Sequence, residues 1–121
     1  MYTHSYVFQE LKQFTGVGTE YTKWFRVTDF HELLAFIKLA AQGTYDNEIL
    51  NINVQIQTPD GDAVDLKDVK FPEIGDKTGN LPFLDYIAFT AFGPLIRFKI
   101  VTTGTSPDYT FKLTGIAKKR A

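Results

Sequence analysis

Cysteine is absent from the 121 residues, and histidine occurs only twice, as His4 and His31. Without thiolates, neither disulfides nor cysteine-ligated metal centres can form. The two histidines lie far apart and do not form the H-x-H or H-E-x-x-H spacing of zinc and iron sites. Few bases are therefore available to activate a nucleophile. We expect no enzymatic activity, no bound metal and no cofactor.

An excess of charge of either sign is also absent. Thirteen Lys and Arg residues oppose 14 Asp and Glu residues, which gives a formal net charge of −1 at pH 7. A nucleic-acid site needs a basic stripe that neutralises several phosphates, whereas the cations here are scattered, apart from Lys118-Lys119-Arg120, which we expect to be a solvated tail. The longest apolar stretch, residues 33–41, contains Lys38 and is too short to span a bilayer. We expect neither nucleic acid nor a membrane as partner.

The chain is rich in hydrophobic residues, at 44% with 11 Phe and 6 Tyr, and its length suits one domain. Apolar and amide side chains alternate strictly over residues 50–57, which predicts a strand with one buried face. Clusters of Gly, Pro, Asn and Asp separate the other apolar segments and indicate turns. Further strands are predicted at residues 24–27, 63–66, 69–71, 83–90, 96–101 and 109–114, with 63–71 near a sheet edge.

Residues 30–42 fit two patterns. Phe30, Leu33, Leu34 and Ile37 fall at helical spacing, with Asp29 as a candidate N-cap. The odd-numbered positions from 33 to 41 also form an unbroken apolar face, as in a strand. Propensity favours the helix, but the surrounding strands favour a strand, because a sandwich needs that element to complete its sheet. We expect a strand.

These elements predict an all-β fold, an antiparallel β-sandwich or jelly roll of seven to eight strands. We expect residues 15–121 to form the sandwich domain. Residues 1–14 are an N-terminal arm or a first strand. The carboxylates Asp60, Asp62, Asp65 and Asp68 lack the EF-hand pattern, and we interpret them as a hairpin turn with solvated flanks.

The order of several turns and strands resembles a known group of proteins. These motifs are Thr15-Gly16-Val17-Gly18, Gly43-Thr44 before the strand at 50–57, the Arg-containing strand at 93–99, and Gly104-Thr105-Ser106-Pro107 followed by Tyr109-Thr110-Phe111. Over residues 15–116 the chain resembles small β-sandwich structural proteins encoded among the head and tail genes of tailed phages and prophages.

The resemblance implies a virion protein, made in the host cytoplasm because Met1 to Ser5 lacks the features of a signal peptide. We expect a capsid decoration (cement) protein that stabilises the shell by binding across capsid subunits. Its partners would be the major capsid protein or other virion proteins, and it would form a homodimer or homotrimer. The alternative is a carbohydrate-binding or receptor-binding module that uses Trp24 and exposed tyrosines.

Aromatic and apolar side chains near the N-terminus are the candidate contacts with a partner. They are Tyr2, Tyr6, Phe8, Leu11 and Phe14. As an arm, this segment could pair with an exposed strand edge of a neighbour. The alternative is that these side chains cover the core of the sandwich itself.

Overall fold

A computed structural model describes residues 2–28, 30–90 and 93–119, without the side chain of Tyr2. These residues form nine β-strands and no helix. The strands are β1 (Tyr2–Thr15), β2 (Gly18–Tyr21), β3 (Phe25–Arg26), β4 (Glu32–Gln42), β5 (Ile49–Gln57), β6 (Ala63–Lys70), β7 (Phe83–Thr90), β8 (Leu95–Thr103) and β9 (Asp108–Lys119). The predicted all-β antiparallel sandwich is confirmed, although the strand count exceeds the expected seven to eight.

The strands form two sheets with nested pairing. Sheet I has the order β1-β9-β4-β7, and sheet II has the order β2-β8-β5-β6, with β3 also paired to β8. Every pairing is antiparallel. The first strand pairs with the last, β2 with β8, β4 with β7, and β5 with β6. This nesting is the pattern of a jelly roll, in which a long hairpin is rolled into two packed sheets.

A β-bulge explains the additional strand. Both β2 and β3 lie along β8, where Tyr21 is opposite Lys99 and Phe25 is opposite Ile96. Between these two pairs, residues 22–24 face only residues 97 and 98 of β8, so the segment that joins β2 to β3 has one extra residue. At this segment a backbone N–H of β8 donates to the Thr22 hydroxyl at 3.0 Å. Together β2 and β3 occupy one strand position, which gives the jelly roll eight positions.

Residues 30–42, which fit both a helical and a strand pattern, contain the strand β4. It lies between β9 and β7, so that both of its edges are hydrogen-bonded. Leu33, Ala35, Ile37 and Leu39 are almost completely buried between the sheets. Burial of this alternating face stabilises the strand at a position where local propensity favoured a helix. The predicted strand is confirmed.

Two smaller expectations need correction. A single strand, β6, replaces the two short strands predicted at 63–66 and 69–71, and Asp68, with φ of 62°, lies where its register with β5 shifts. Lys118 and Lys119 belong to β9, so they are not a free tail, because β1 continues to pair with them. Arg120 lies outside the described residues.

Residues 2–15 form the edge strand of sheet I rather than a detached arm. Strand β1 pairs with β9 along its whole length, from Tyr2 opposite Lys119 to Thr15 opposite Asp108. The register shifts at two places within this pairing. Phe8 and Phe14 enter the core between the sheets. Most of the remaining core comes from the inward residues of β4, β5, β8 and β9.

Candidate binding surfaces

The outer face of sheet I carries a band of apolar side chains. The register places Val7, Thr114, Phe36 and Tyr86 in one row across all four strands. The outer face of an antiparallel sheet is usually polar where it meets water. We call the following set the apolar stripe: Val7, Leu34, Phe36, Leu84, Tyr86, Ala88 and Ile116. Leu84 is 66% exposed and Tyr86 is 60% exposed, so the stripe has no cover within the described chain.

A shallow cavity of about 330 Å³ lies at one end of the apolar stripe. Leu34, Ala88 and Ile116 supply apolar lining, while Glu32 and Lys118 supply charged groups. Its volume is near the lower limit for ligand pockets. The cavity therefore suits one or two apolar side chains of a partner better than a large ligand.

At the other end of the apolar stripe, two like charges face each other. Lys38 of β4 is directly opposite Lys112 of β9, and Leu84 of β7 continues the row. Like charges on opposed residues destabilise a sheet. No described carboxylate lies within 4.0 Å of either ammonium group. A carboxylate from a partner would relieve this repulsion.

The outer face of sheet II has different chemistry, centred on Arg97. The Arg97 Cζ atom lies 4.1 Å from the centroid of the Tyr21 ring and 4.6 Å from that of the Trp24 ring. Residues three apart on a regular strand point to opposite faces. The bulge between β2 and β3 removes this alternation, so that both rings reach the same guanidinium.

A hydrogen-bond network holds Arg97 from the other side. Its Nε atom donates to Gln55 Oε1 at 2.8 Å, and Gln55 Nε2 donates to Asp65 Oδ1 at 2.9 Å. The Lys99 Nζ atom lies 3.2 Å from Asp65 Oδ2. Hydrogen bonds from Gln55 and from Lys99 lower the pKa of Asp65. Gln55 is only 6% exposed, so this network is a fixed part of the surface.

The five predicted partner residues differ in accessibility. Phe8 and Phe14 are each 3% exposed and Tyr6 is partly buried, so these three side chains belong wholly or largely to the chain's own core. Leu11 is 57% exposed on the edge strand. The Tyr2 backbone pairs within sheet I, and its side chain lies outside the description. Leu11 is the most accessible of the four described side chains.

The apolar stripe and Arg97 were not predicted from the sequence, whereas Trp24, which contacts Arg97, belongs to the alternative carbohydrate-binding or receptor-binding module. Strand β7 carries apolar residues on both faces, and this is the signal that could have pointed to the apolar stripe. Nothing in the local sequence linked Arg97 with Tyr21, because their contact depends on the register of β2 against β8.

The remaining candidates from the sequence are the histidines and the carboxylates. His4 lies among rings, with centroids 4.6 Å from Tyr6 and 5.5 Å from Phe30. Within residues 2–28, 30–90 and 93–119, no three His, Cys, Asp or Glu side chains are grouped as metal ligands. In the same part of the chain, no helix has the length and apolar character needed to cross a membrane.

No family description and no curated protein sequence matches the chain. Structural similarity defines its fold class. VP2 of the infectious bursal disease virus subviral particle matches with a TM-score of 0.64 and 13% identity, over 98% of this chain and 32% of that chain. The Gx strain of the same virus matches with a TM-score of 0.60 and 15% identity, over 96% and 32%. The chain thus spans about a third of these viral proteins.

A match of another kind is similar in size to this chain. The SPBc2 prophage-derived protein YomS has a TM-score of 0.54 and 20% identity, over 95% of this chain and 91% of that chain. At these identities the similarity establishes the fold. The chain has a jelly-roll β-sandwich that is also present in a virus particle protein and in a prophage-derived protein.

Proposed function

We propose that the chain is a non-enzymatic structural protein of a virion that decorates the capsid by docking onto the major capsid protein. The observation that carries this proposal is the apolar stripe, because its side chains are exposed on a sheet face that is usually polar, and an exposed apolar patch of a few hundred Å² is often functional. The shared fold with VP2 and with the prophage-derived protein supports a viral setting. The absence of cysteine and the presence of only two histidines support a role without chemistry.

The size of sheet I limits how tightly one copy can bind. Four strands about 4.8 Å apart and six residue steps of about 3.3 Å from Glu32 to Lys38 give a face of roughly 400 Å². Each partner in a stable complex buries about 800 Å². One face therefore gives weak binding, and a homodimer or homotrimer that engages several capsid subunits would gain avidity.

Bridging between subunits would stabilise the shell, because subunits then separate only if these contacts also break. The edge strand β1 would add a second contact. Leu11 is exposed there, and an edge strand can pair with a strand of a neighbour. We propose Leu11 as the anchor of this second contact, with Tyr2 beside the same edge.

Co-sedimentation with shells of the virus or prophage that encodes the chain tests the proposal. Replacing both Leu84→Gln and Tyr86→Gln removes two exposed anchors without changing the charge. Each buried side chain of this size contributes about 1.5–3 kcal/mol, so we expect the double variant to bind at least about tenfold more weakly. Val17→Gln is the matched control, because Val17 is also 66% exposed but lies outside the apolar stripe. Equal binding of the double variant and the wild type would refute the proposed contact.

A further inference from the structure

We propose that the outer face of sheet II is a binding site for acidic saccharides, with Arg97 receiving the sugar carboxylate. This site is separate from the proposed capsid contact, because it lies on the opposite face of the sandwich. The proposal rests on the free end of the Arg97 guanidinium, the cationic character of the face, and the row of amide side chains beside it.

The end of Arg97 is available to a ligand while its position is fixed. Nε is bonded to Gln55, and the two rings contact Cζ, but neither Nη group donates to an acceptor in the described part of the chain. A guanidinium can bind a carboxylate through two parallel N–H bonds. Because Gln55 and the rings of Tyr21 and Trp24 already hold the side chain, little side-chain entropy remains to be lost on binding.

The charges of this face favour an anion. The register places four cationic side chains on the outer side of sheet II: Arg97, Lys99, Lys70 and Arg26. The negative charge among them is that of Asp65, which is hydrogen-bonded to Gln55. Lys99 offsets Asp65 directly, at 3.2 Å. The remaining three cations leave a local positive charge on a chain whose formal net charge is −1. A ligand that carries carboxylates would be attracted to this face.

A row of carboxamides indicates the rest of the ligand. Asn51, Asn53, Gln55 and Gln57 alternate along β5 and point outward, and the register sets Asn53 opposite Lys99 and Gln55 opposite Arg97. The side chains of Asn51 and Asn53 make no hydrogen bond to the described residues. A carboxamide both donates and accepts, as the hydroxyl groups of a sugar require.

A neutral sugar and an acidic protein fit this face less well. Arg97 already lies against the rings of Tyr21 and Trp24, so these rings are partly occupied as stacking platforms for a neutral sugar. Protein interfaces have an apolar, strongly dehydrated centre. Here the two rings are covered by Arg97 and the neighbouring strand presents carboxamides, which suits a hydrated, hydroxyl-rich anion.

Trp24 provides a specific probe, because it is the only tryptophan of the chain and lies 4.6 Å from Arg97. The full chain is titrated with tetragalacturonate, with neutral maltotetraose and with a tetraglutamate peptide while Trp24 fluorescence is followed. We expect a saturable change with tetragalacturonate alone. Arg97→Lys, which keeps the charge but loses the two-bond geometry, should weaken binding at least tenfold, whereas the control Lys119→Arg, at an exposed position of β9 in sheet I, should bind as the wild type does.

A measurement on the unmodified chain covers the case in which Arg97→Lys does not fold. In a ¹H–¹⁵N spectrum, tetragalacturonate should shift the Nε resonance of Arg97, and maltotetraose should leave it in place. The site would be rejected if tetragalacturonate changes neither the Trp24 fluorescence nor the Arg97 Nε resonance, or if maltotetraose or tetraglutamate acts equally well; an equal response to tetraglutamate would indicate a protein carboxylate instead. The Leu84→Gln, Tyr86→Gln variant should retain saccharide binding, so that the two proposals can fail separately.

Discussion

Glu48 connects two loops at one end of the sandwich. Its carboxylate accepts hydrogen bonds from the backbone N–H groups of Ser106 at 3.1 Å and Asp46 at 2.8 Å, and these bonds lower its pKa. Beside it, Asn47 Oδ1 accepts hydrogen bonds from the N–H and the hydroxyl of Thr105. Gly104, with φ of 108°, approaches the Glu48 backbone so closely that a Cβ would lie 2.6 Å from its Cα. These contacts join the β4–β5 connection to the β8–β9 turn.

The lowered pKa of Glu48 predicts a pH dependence of stability. A carboxyl group whose folded pKa lies below its unfolded value stabilises the fold above the unfolded pKa, near 4.5, and this stabilisation is lost as the pH falls through the folded pKa. Glu48→Gln should therefore be less stable than the wild type at pH 7, and the difference should shrink below pH 4.5. Urea unfolding from pH 3 to pH 7 measures this difference; a constant difference across the range would exclude the charge as its cause.

Gly115 of β9 lies against the ring of Phe8 from β1. A Cβ at this position would lie 2.3 Å from Phe8 Cε2 and 2.9 Å from the Leu34 backbone oxygen. We expect Gly115→Ala to lower the free energy of unfolding by about 1–3 kcal/mol through overpacking. Gly79→Ala is the control, because its Cβ would meet nothing within 4 Å, and it should change stability by less than about 0.5 kcal/mol. Equal urea midpoints for the two variants would contradict the close packing.

At the scale of elements, β1 is the clearest test of how the chain is organised. Deleting residues 2–14 removes Phe8 and Phe14 from the core. Loss of each buried Phe costs about 3–5 kcal/mol, and together they approach the 5–15 kcal/mol that stabilises a typical domain. We expect the shortened chain to lose the dispersed amide resonances of a folded protein. A well-dispersed spectrum would instead mean that this segment is a dispensable arm.

The sequence could predict strands whose side chains alternate, because burial of one face imposes that alternation. Residues 50–57 became β5 with the predicted faces. The β2–β3 bulge and the row from Val7 to Tyr86 could not be predicted, since both depend on register. A slip of one residue exchanges the two faces of a strand. The faces that we propose as functional are therefore properties of pairing, which local sequence does not encode.

At the scale of the whole molecule, the two outer faces differ in chemistry. Sheet I presents the apolar stripe beside a pair of lysines, and sheet II presents Arg97 among amides. Buried hydrophobic side chains fill the described core between the sheets, so both proposals place binding on the outer surface. A decoration protein with this arrangement would attach to the shell through sheet I and expose sheet II to the medium, where it could meet a saccharide.

The most direct test of the structural role is to count copies of this protein on purified virions of the encoding virus or prophage by quantitative mass spectrometry. Our account predicts a fixed ratio to the major capsid protein that survives washing, and a lower ratio when the encoded chain carries Leu84→Gln and Tyr86→Gln. Complete absence of the wild-type protein from washed particles would contradict it.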